Sequence, residues 1–388
     1  MKIAVPAEFD LGEPRVAATP DTVKRLVALG AEIAVQSGAG LRSGILDADY
    51  QAAGATIASS AAEAAIGADV VLKVRRPTAE EMLTYKRGTL VIGILDPYGN
   101  EEALRQLADA GLTAFSMELM PRITRAQVMD VLSSQANLAG YRAVIDAAAE
   151  FGRALPMMMT AAGTVPAART FVMGAGVAGL QAIATARRLG AVVTATDVRP
   201  ASKEQVESLG AKFVAVEDDE FKQAETSGGY AKPMSAEYQA KQAALVAEHI
   251  KKQDIVITTA LIPGRPAPRL ISAAMVASMK PGSVLVDLAV ERGGNVEGAV
   301  AGQVTDVNGV KIVGYLNVAG RIAASASQLY AKNLYAFLET LVDKQAKALA
   351  VKWDDELVKA TLLTRDGAVV HPNFAPKSTV GTTEGAAS

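Results

Sequence analysis

The chain contains no cysteine in 388 residues, which excludes disulfide bridges, thiolate metal sites and cysteine nucleophiles together. No cluster of other ligand types points to a metal either. Histidine is nearly absent: His249 falls in a charged helical stretch (AEHIKK) and His371 lies near the tail, and both read as surface residues. That scarcity bears on chemistry, because a dehydrogenase acting on a carbonyl or an amino acid moves a proton as well as a hydride, usually through a His or Lys. Charge of one sign is lacking too. Lys plus Arg (39) nearly balances Asp plus Glu (41), so no field recruits nucleic acid or anionic lipid. The longest uncharged run, between Arg169 and Arg187, is shorter than a bilayer span, so no direct membrane insertion is expected. The opening MKIAVPAEF has no signal-peptide core, and a cytoplasmic protein is expected.

What is present centres on Arg169 to Asp197, RTFVMGAGVAGLQAIATARRLGAVVTATD. A β-branched and aromatic run meets Gly174-Ala-Gly176-Val-Ala-Gly179, an alanine-rich helical segment follows to Leu189, and a second strand ends on Asp197. Gly174 permits the tight turn, Gly176 lets the backbone approach a pyrophosphate, and Gly179 lets the helix pack on the strand. The helix N-terminus then presents N–H groups and the positive end of its dipole to phosphates. Asp197, eighteen residues past Gly179, is placed to accept the adenosine ribose hydroxyls and to repel a 2′-phosphate, which predicts NAD(H) over NADP(H). Arg199, two residues on, is expected to stack on adenine or to be solvated.

Around this unit the length and the 50% hydrophobic content predict two domains. Before residue 116, strands at Lys2–Pro6, Glu32–Gln36, Asp69–Lys73, Thr89–Leu95 and Leu112–Phe115 alternate with amphipathic helices near 21–29, 47–53 and 101–110. The predicted class is α/β: two Rossmann-like, doubly wound parallel-sheet domains joined by long helices, with a cleft between them. The helix 324–341, with Leu329, Leu334, Phe337 and Leu338 on one face, returns the chain to the first domain. That domain therefore comprises 1–133 and 322–388, and 134–321 binds the nucleotide. The tail from Pro372 has linker composition.

Four other stretches carry weight. Met117 to Ser134 packs Glu118, Arg122, Arg125, Gln127, Asp130 and Ser133 among apolar residues; it lines a cleft, or it is a solvated loop entering a helix capped by Ser133 or Ser134. Leu155 to Thr164, LPMMMTAAGT, reads as adaptable core. Glu217 to Ser235 has no periodicity and is expected to be a mobile loop with Tyr230 at its tip, either a lid or an ordinary insertion. The strand 254–259 ends on Ala260-Leu261, which shares the ligand crevice at the carboxyl ends of the strands. For hydride passing between two nicotinamides no proton is exchanged with either ring, so orienting groups such as Arg122, Gln127, Asp130 and Ser133 suit that chemistry.

The segments GEPRVAATP (12–20), MELMPRITRAQVMDVLSSQANLAGYRAVIDAA (117–148), MMMTAAGTVPAAR (157–169), the fingerprint (174–199), SGGYAKPM (227–234), ITTALIPGRPAP (257–268), PGSVLVDLAVERGGN (281–295) and TRDGAVVHP (364–372) carry a resemblance. In this order they resemble the NAD(H)-binding components of proton-translocating NAD(P) transhydrogenases. The resemblance implies that Arg122, Gln127, Asp130 and Ser133 hold the nicotinamide and its ribose near the partner nucleotide, and that Tyr230 tips a loop closing over bound NAD(H). Its cofactor contacts are Ile123, Thr124, Arg125, Gly174, Gly176, Val177, Gly179, Asp197, Val198, Arg199, Gly229, Ala260 and Leu261. It also implies a homodimer, peripheral on the inner face of the bacterial cytoplasmic membrane through an NADP(H)-binding component and a membrane-spanning proton channel. Alanine dehydrogenases are similar in fold and share Arg15 and Lys73, which in that family hold the substrate carboxylate. Their catalytic histidine would fall near Ile94 or Leu95 and their catalytic aspartate near Glu291, and both differ here. The alternative of another class is a non-catalytic NAD-binding regulatory module.

Overall fold

The computed structural model describes residues 1–223 and 234–376. Tyr230 and Gly229, and the tail beyond 376, lie outside the described residues. The chain divides into two compact units, Met1–Val131 with the segment from Ser327 onward, and Leu132–Ala326.

The strands run β1 (Lys2–Val5), β2 (Glu32–Gln36), β3 (Thr56–Ala58), β4 (Val70–Arg75), β5 (Leu90–Ile94) and β6 (Thr113–Ser116) in the first unit. The second unit contributes β7 (Met158–Thr160), β8 (Gly163–Val165), β9 (Arg169–Met173), β10 (Val192–Thr196), β11 (Lys212–Phe213), β12 (Ile255–Thr258), β13 (Val284–Asp287), β14 (Val304–Val307) and β15 (Val310–Val313). The returning chain adds β16 (Val342–Asp343), β17 (Ala348–Leu349), β18 (Leu362–Arg365) and β19 (Ala368–Val369).

The first unit's sheet has the order β19-β18-β6-β5-β4-β1-β2-β3. Its six N-terminal strands are parallel, and β18 joins β6 antiparallel. Buried β-branched runs such as VVLKVR in β4 give strands that both faces can cover, as a parallel sheet requires. Helix Ala323–Thr340 feeds Tyr330, Leu334, Phe337 and Leu338 into the same core as Phe115 and Ile92. The second unit's sheet has the order β11-β10-β9-β12-β13-β15-β14, with only β14 antiparallel. In both sheets the order reverses beside the first strand of that sheet, β1 or β9, and there the carboxyl ends of neighbouring strands open onto a crevice.

Short elements escape the periodicity argument because they span little more than one turn or three strand residues: β3 and the helices Ala61–Ala65 and Ala79–Met82. One expectation is overturned here. Within LPMMMTAAGT only Leu155 enters the core; the Met cluster does not, because Met158–Thr160 pairs with Gly163–Val165 as the hairpin β7–β8 and Met157, Met158 and Met159 are 61%, 46% and 70% exposed. An uncharged stretch is not necessarily a buried one, and this one is a small apolar protrusion. Of the stretch 217–235, expected to be a mobile loop, residues 224–233 lie outside the described residues; at its start Asp218 caps a short helix at Asp219–Lys222.

Candidate functional site

The register of the second sheet brings the fingerprint together. Met173 pairs with Thr196 on one side and Thr258 on the other, so Gly174, Asp197 and Thr259 follow at the carboxyl ends of three adjacent strands. Gly174 has φ +105°, a backbone that L side chains rarely adopt, and an added Cβ would lie 2.4 Å from the Thr259 hydroxyl. At Gly179 a Cβ would lie 1.7 Å from the Gly174 carbonyl oxygen, so helix and strand meet backbone to backbone. Gly176 differs: nothing lies within 4 Å of where its Cβ would be. The position that a pyrophosphate must approach is open, and a methyl group would fill it.

Gly176 is the N-cap of helix Val177–Arg188, and no side-chain oxygen caps that end. Such an N-terminus attracts an anion through its N–H groups and dipole. Helix Val131–Glu150 packs tightly against the same turn, because a Cβ on Gly140 would fall 2.0 Å from the Ala178 carbonyl oxygen. Beneath the turn, the Thr259 hydroxyl donates to the carbonyls of Met173 and Gly174 at 3.3 and 3.2 Å. Gly140 and Thr259 support the turn and are missed by the sequence reading, since neither belongs to a local pattern.

Asp197 closes the site at the end of β10. Its carboxylate accepts the Ala175 N–H at 2.7 Å and the Arg199 N–H at 2.9 Å. Arg199, expected to stack on adenine or to be solvated, has its guanidinium paired with the two Asp197 oxygens at 2.9 and 3.0 Å. Two residues along an extended-to-turn backbone is enough for a long side chain to fold back on the acid. Burial alone would push the Asp197 carboxyl up, but the Arg199 guanidinium and the backbone donors outweigh it and hold it below the usual carboxylate range. The acid is charged, and ribose hydroxyls would take lone pairs now shared with Arg199. Val198, Leu261 and Val177, at 50%, 54% and 43% exposure, supply apolar surface around it.

The polar stretch of the first unit has its own geometry. Thr124–Met129 is a 3₁₀ segment, whose period of three sends Ile123, Ala126 and Met129 into the core and leaves Thr124, Gln127 and Asp130 on the opposite side. Arg122, Ile123, Thr124, Gln127 and Asp130 line one cavity of about 200 Å³. Asn333 donates to the Val128 carbonyl at 2.8 Å and pins the segment from behind. Arg125 points elsewhere, into ion pairs with Asp355 and Glu356 at 2.8 and 3.2 Å. Ser133 lies in the first turn of helix Val131–Glu150, within the second unit.

Two further expectations meet corrections. Neither histidine is a simple surface group. His249 is half-buried, its Nε2 is 2.8 Å from the Thr194 hydroxyl, and it sits edge-on to Phe171. His371 is 7% exposed, with Nδ1 accepting the Asn373 N–H. The charged flanks of His249 lie on the solvated side of its helix, and the local sequence reports that side only. Arg15 and Lys73 are occupied as well: Arg15 lies 2.6 Å from Glu13, and Lys73 lies 2.7 Å from Glu81 and 3.4 Å from Glu8. All four of Arg15, Glu13, Lys73 and Glu8 are buried.

An alternating α/β sheet reversing beside β9, a glycine turn open at Gly176, an uncapped helix end and a buried acid on the next strand define the second unit as a dinucleotide-binding domain. Family models described as "Alanine dehydrogenase/PNT, N-terminal domain" and "Alanine dehydrogenase/PNT, C-terminal domain" match residues 4–139 and 143–372. The chain belongs to the alanine dehydrogenase/PNT family. It is 59% identical over 377 residues to an NAD(P) transhydrogenase subunit alpha chain of Rhodospirillum rubrum, covering 96% of this chain and 98% of that one. The crystal structure of transhydrogenase from Sinorhizobium meliloti superposes with TM-score 0.88 at 67% identity, over 95% of this chain and all of the other. An L-alanine dehydrogenase structure is similar at TM-score 0.81 and 26% identity, over 96% and 98% of the two chains. These relationships indicate NAD(H) binding, and the open cradle over Gly176 fits that cofactor. Among the described residues, no helix is long and apolar enough to cross a membrane, and no group of three or more acidic or His side chains is placed to hold a metal ion.

Proposed function

We propose that this chain is the NAD(H)-binding component of a transhydrogenase. Hydride passes between NAD(H) bound here and NADP(H) on a partner component, coupled to proton translocation through a membrane-spanning partner. The single observation carrying the binding half is the row Gly174, Asp197 and Thr259 with free space over Gly176; the exchange half draws on the names of the transhydrogenase relatives. When bound, the nicotinamide supplies a hydride donor or acceptor at C4. The chain's residues do the rest. The Val177 helix end takes the pyrophosphate, Asp197 orients the adenosine ribose, and Arg122, Gln127 and Asp130 orient the carboxamide and ribose of the nicotinamide half. Ser133 and Tyr230 belong to the same orienting set.

This assignment demands no proton donor in the site, which agrees with the positions of the histidines. His249 hydrogen-bonds Thr194 and His371 accepts the Asn373 N–H, and the assignment asks a proton of neither. The homodimer expected for the family has a candidate contact in the exposed Met157–Met159 hairpin. Attachment to the cytoplasmic face of the membrane then runs through the partners. The deciding experiment mixes the purified chain with an NADP(H)-binding component and follows hydride transfer from NADH to an NADP⁺ analogue; no transfer by a mixture in which both nucleotides bind would refute the assignment.

The alanine dehydrogenase reading is favoured by the shared fold. Against it stands the use of Arg15 and Lys73 by internal glutamates, which leaves a substrate carboxylate in competition with Glu13, Glu8 and Glu81. NADH with pyruvate and ammonium is expected to yield no alanine.

A further inference from the structure

Asn295 is wholly buried and belongs to no site assigned above. Its side chain grips the first residue beyond Thr259 on both backbone groups: Oδ1 accepts the Ala260 N–H at 3.1 Å, and Nδ2 donates to the Ala260 carbonyl at 2.9 Å. The same Nδ2 donates to the Pro268 carbonyl at 2.8 Å, so one amide holds both ends of the segment 260–268. The Asn295 carbonyl completes the grip by accepting the N–H groups of Leu270 and Ile271 at 2.8 and 3.0 Å. All the hydrogen-bonding capacity of this buried amide except one acceptor lone pair is therefore spent on one loop.

The surrounding sequence delivers Asn295 to that place. Gly293 and Gly294 have φ of +95° and +78°, and a Cβ on Gly294 would lie 2.8 Å from Asp287 Oδ2. Asp287, 1% exposed at the end of β13, accepts the N–H groups of Ala289 and Val296 at 2.8 and 2.9 Å and folds the 288–296 segment back on itself. A buried acid and two left-handed glycines hold a single amide in position.

The held loop faces one half of the dinucleotide. The strand order is β10-β9-β12, with Asp197 ending β10 and the glycine turn following β9. A dinucleotide with its adenosine ribose on Asp197 and its pyrophosphate on that turn continues toward β12. Ala260 is close to the turn, its nitrogen 3.7 Å from where a Gly174 Cβ would lie, and Leu261 and Ile262 beside it are 54% and 46% exposed.

Resting on the reading that NAD(H) binds at this turn, we propose that Asn295 is a positioning residue for the nicotinamide half. By clasping Ala260 and Pro268 it fixes Leu261 and Ile262 as an apolar platform on which that half rests.

The test is calorimetric titration of the full chain and of its Asn295→Ala and Asn295→Asp variants with NADH and, separately, with ADP, which reaches only the adenosine and pyrophosphate positions. The expected result is NADH binding weakened about tenfold in both variants with ADP held within about twofold of the unmodified chain. Equal weakening of both ligands would mean a general structural role, and no weakening of NADH would mean that the clasp does not matter; either overturns the proposal. Asn295→Asp preserves the volume. If neither variant folds, the exposed pair is replaced instead, as Leu261→Ser with Ile262→Ser, and must give the same split between NADH and ADP or the proposal fails. Failure of the unmodified chain to bind either ligand would instead overturn the site reading on which it rests.

Discussion

Two glycines three residues apart in the same turn are expected to fail in different ways when each gains one methyl group. Gly176 has φ −75° and ψ −168°, which any residue adopts, and free space where its Cβ would be. Gly176→Ala therefore changes folding little: the loss of unfolded-state entropy stabilises by about 0.4–1 kcal/mol, while alanine is the poorer N-cap by a similar amount. The melting temperature is expected to stay within about 2 °C of the unmodified chain. The same methyl occupies the surface that a pyrophosphate must touch. Forcing that contact apart by an ångström or more removes the N–H hydrogen bonds at the helix end, for which a loss of roughly 2–4 kcal/mol, or about 30- to 1000-fold in NADH affinity, is reasonable.

Gly179→Ala reverses the pattern. Its Cβ, 1.7 Å from a backbone oxygen, can be accommodated only by separating helix Val177–Arg188 from β9. Overpacking of that kind destabilises by about 1–3 kcal/mol or more, and a visible fall in melting temperature accompanies the loss of binding. Scanning calorimetry and NADH titration on the same preparations separate the two cases. If Gly176→Ala bound NADH as the unmodified chain does, the pyrophosphate would not lie over this turn, and the reasoning about the second unit would be wrong.

Three more outcomes are expected. Asp197→Asn should weaken NADH by roughly 10- to 100-fold and narrow the gap to NADPH, because the ribose acceptor loses its charge while Arg199 loses its partner; titrations leaving the NADH to NADPH ratio unchanged would remove Asp197 from the selectivity argument. Glu13→Gln should lower the melting temperature by on the order of ten degrees, since Arg15, 4% exposed, loses the carboxylate it pairs with, and breaking one side of a buried pair costs about 3–5 kcal/mol. A shift under about 2 °C would show that the pair is no stronger than its replacement. Burial, then Lys252 and Lys212, hold the His249 imidazole below its ordinary value of 6.5, so the unfolded chain takes up a proton there before the folded one does. Stability due to this group is thus full above about pH 6.5 and lost as the pH falls below it. Between about pH 7.5 and 5.5 the melting temperature of His249→Gln should fall less steeply than that of the unmodified chain, and parallel slopes would contradict the assignment.

Features that are local and periodic are legible in the sequence. β2 matches its expected bounds because the apolar run IAV is flanked by one polar residue on each side and then by turn residues, and the glycine turn is readable because its geometry needs three glycines at fixed spacing. What is not legible depends on distant partners. The ring environment of His249 is set by Phe171 and Thr194, more than fifty residues away. Asn295 touches a strand end thirty-five residues upstream. The exposure of Met157–Met159 follows from a hairpin that no layer of the sheet covers, and apolar composition alone points the other way. Arg199 is close enough in sequence to Asp197 to be noticed, but which of several roles it takes is decided by where the neighbouring Ala175 N–H directs the carboxylate.

The antiparallel edge of the first unit has a consequence for how the polypeptide is made. Leu362 and Thr364 pair with Phe115 and Ala114, and Tyr330, Phe337 and Leu338 fill the core laid down by the N-terminal strands. During synthesis the N-terminal strands leave the ribosome long before these partners exist. The second unit, whose seven-stranded sheet is drawn wholly from 132–326, can finish in the meantime as an autonomous intermediate. The first unit must keep an unfinished apolar surface until the last strands are translated, and chaperone dependence and aggregation should arise there first.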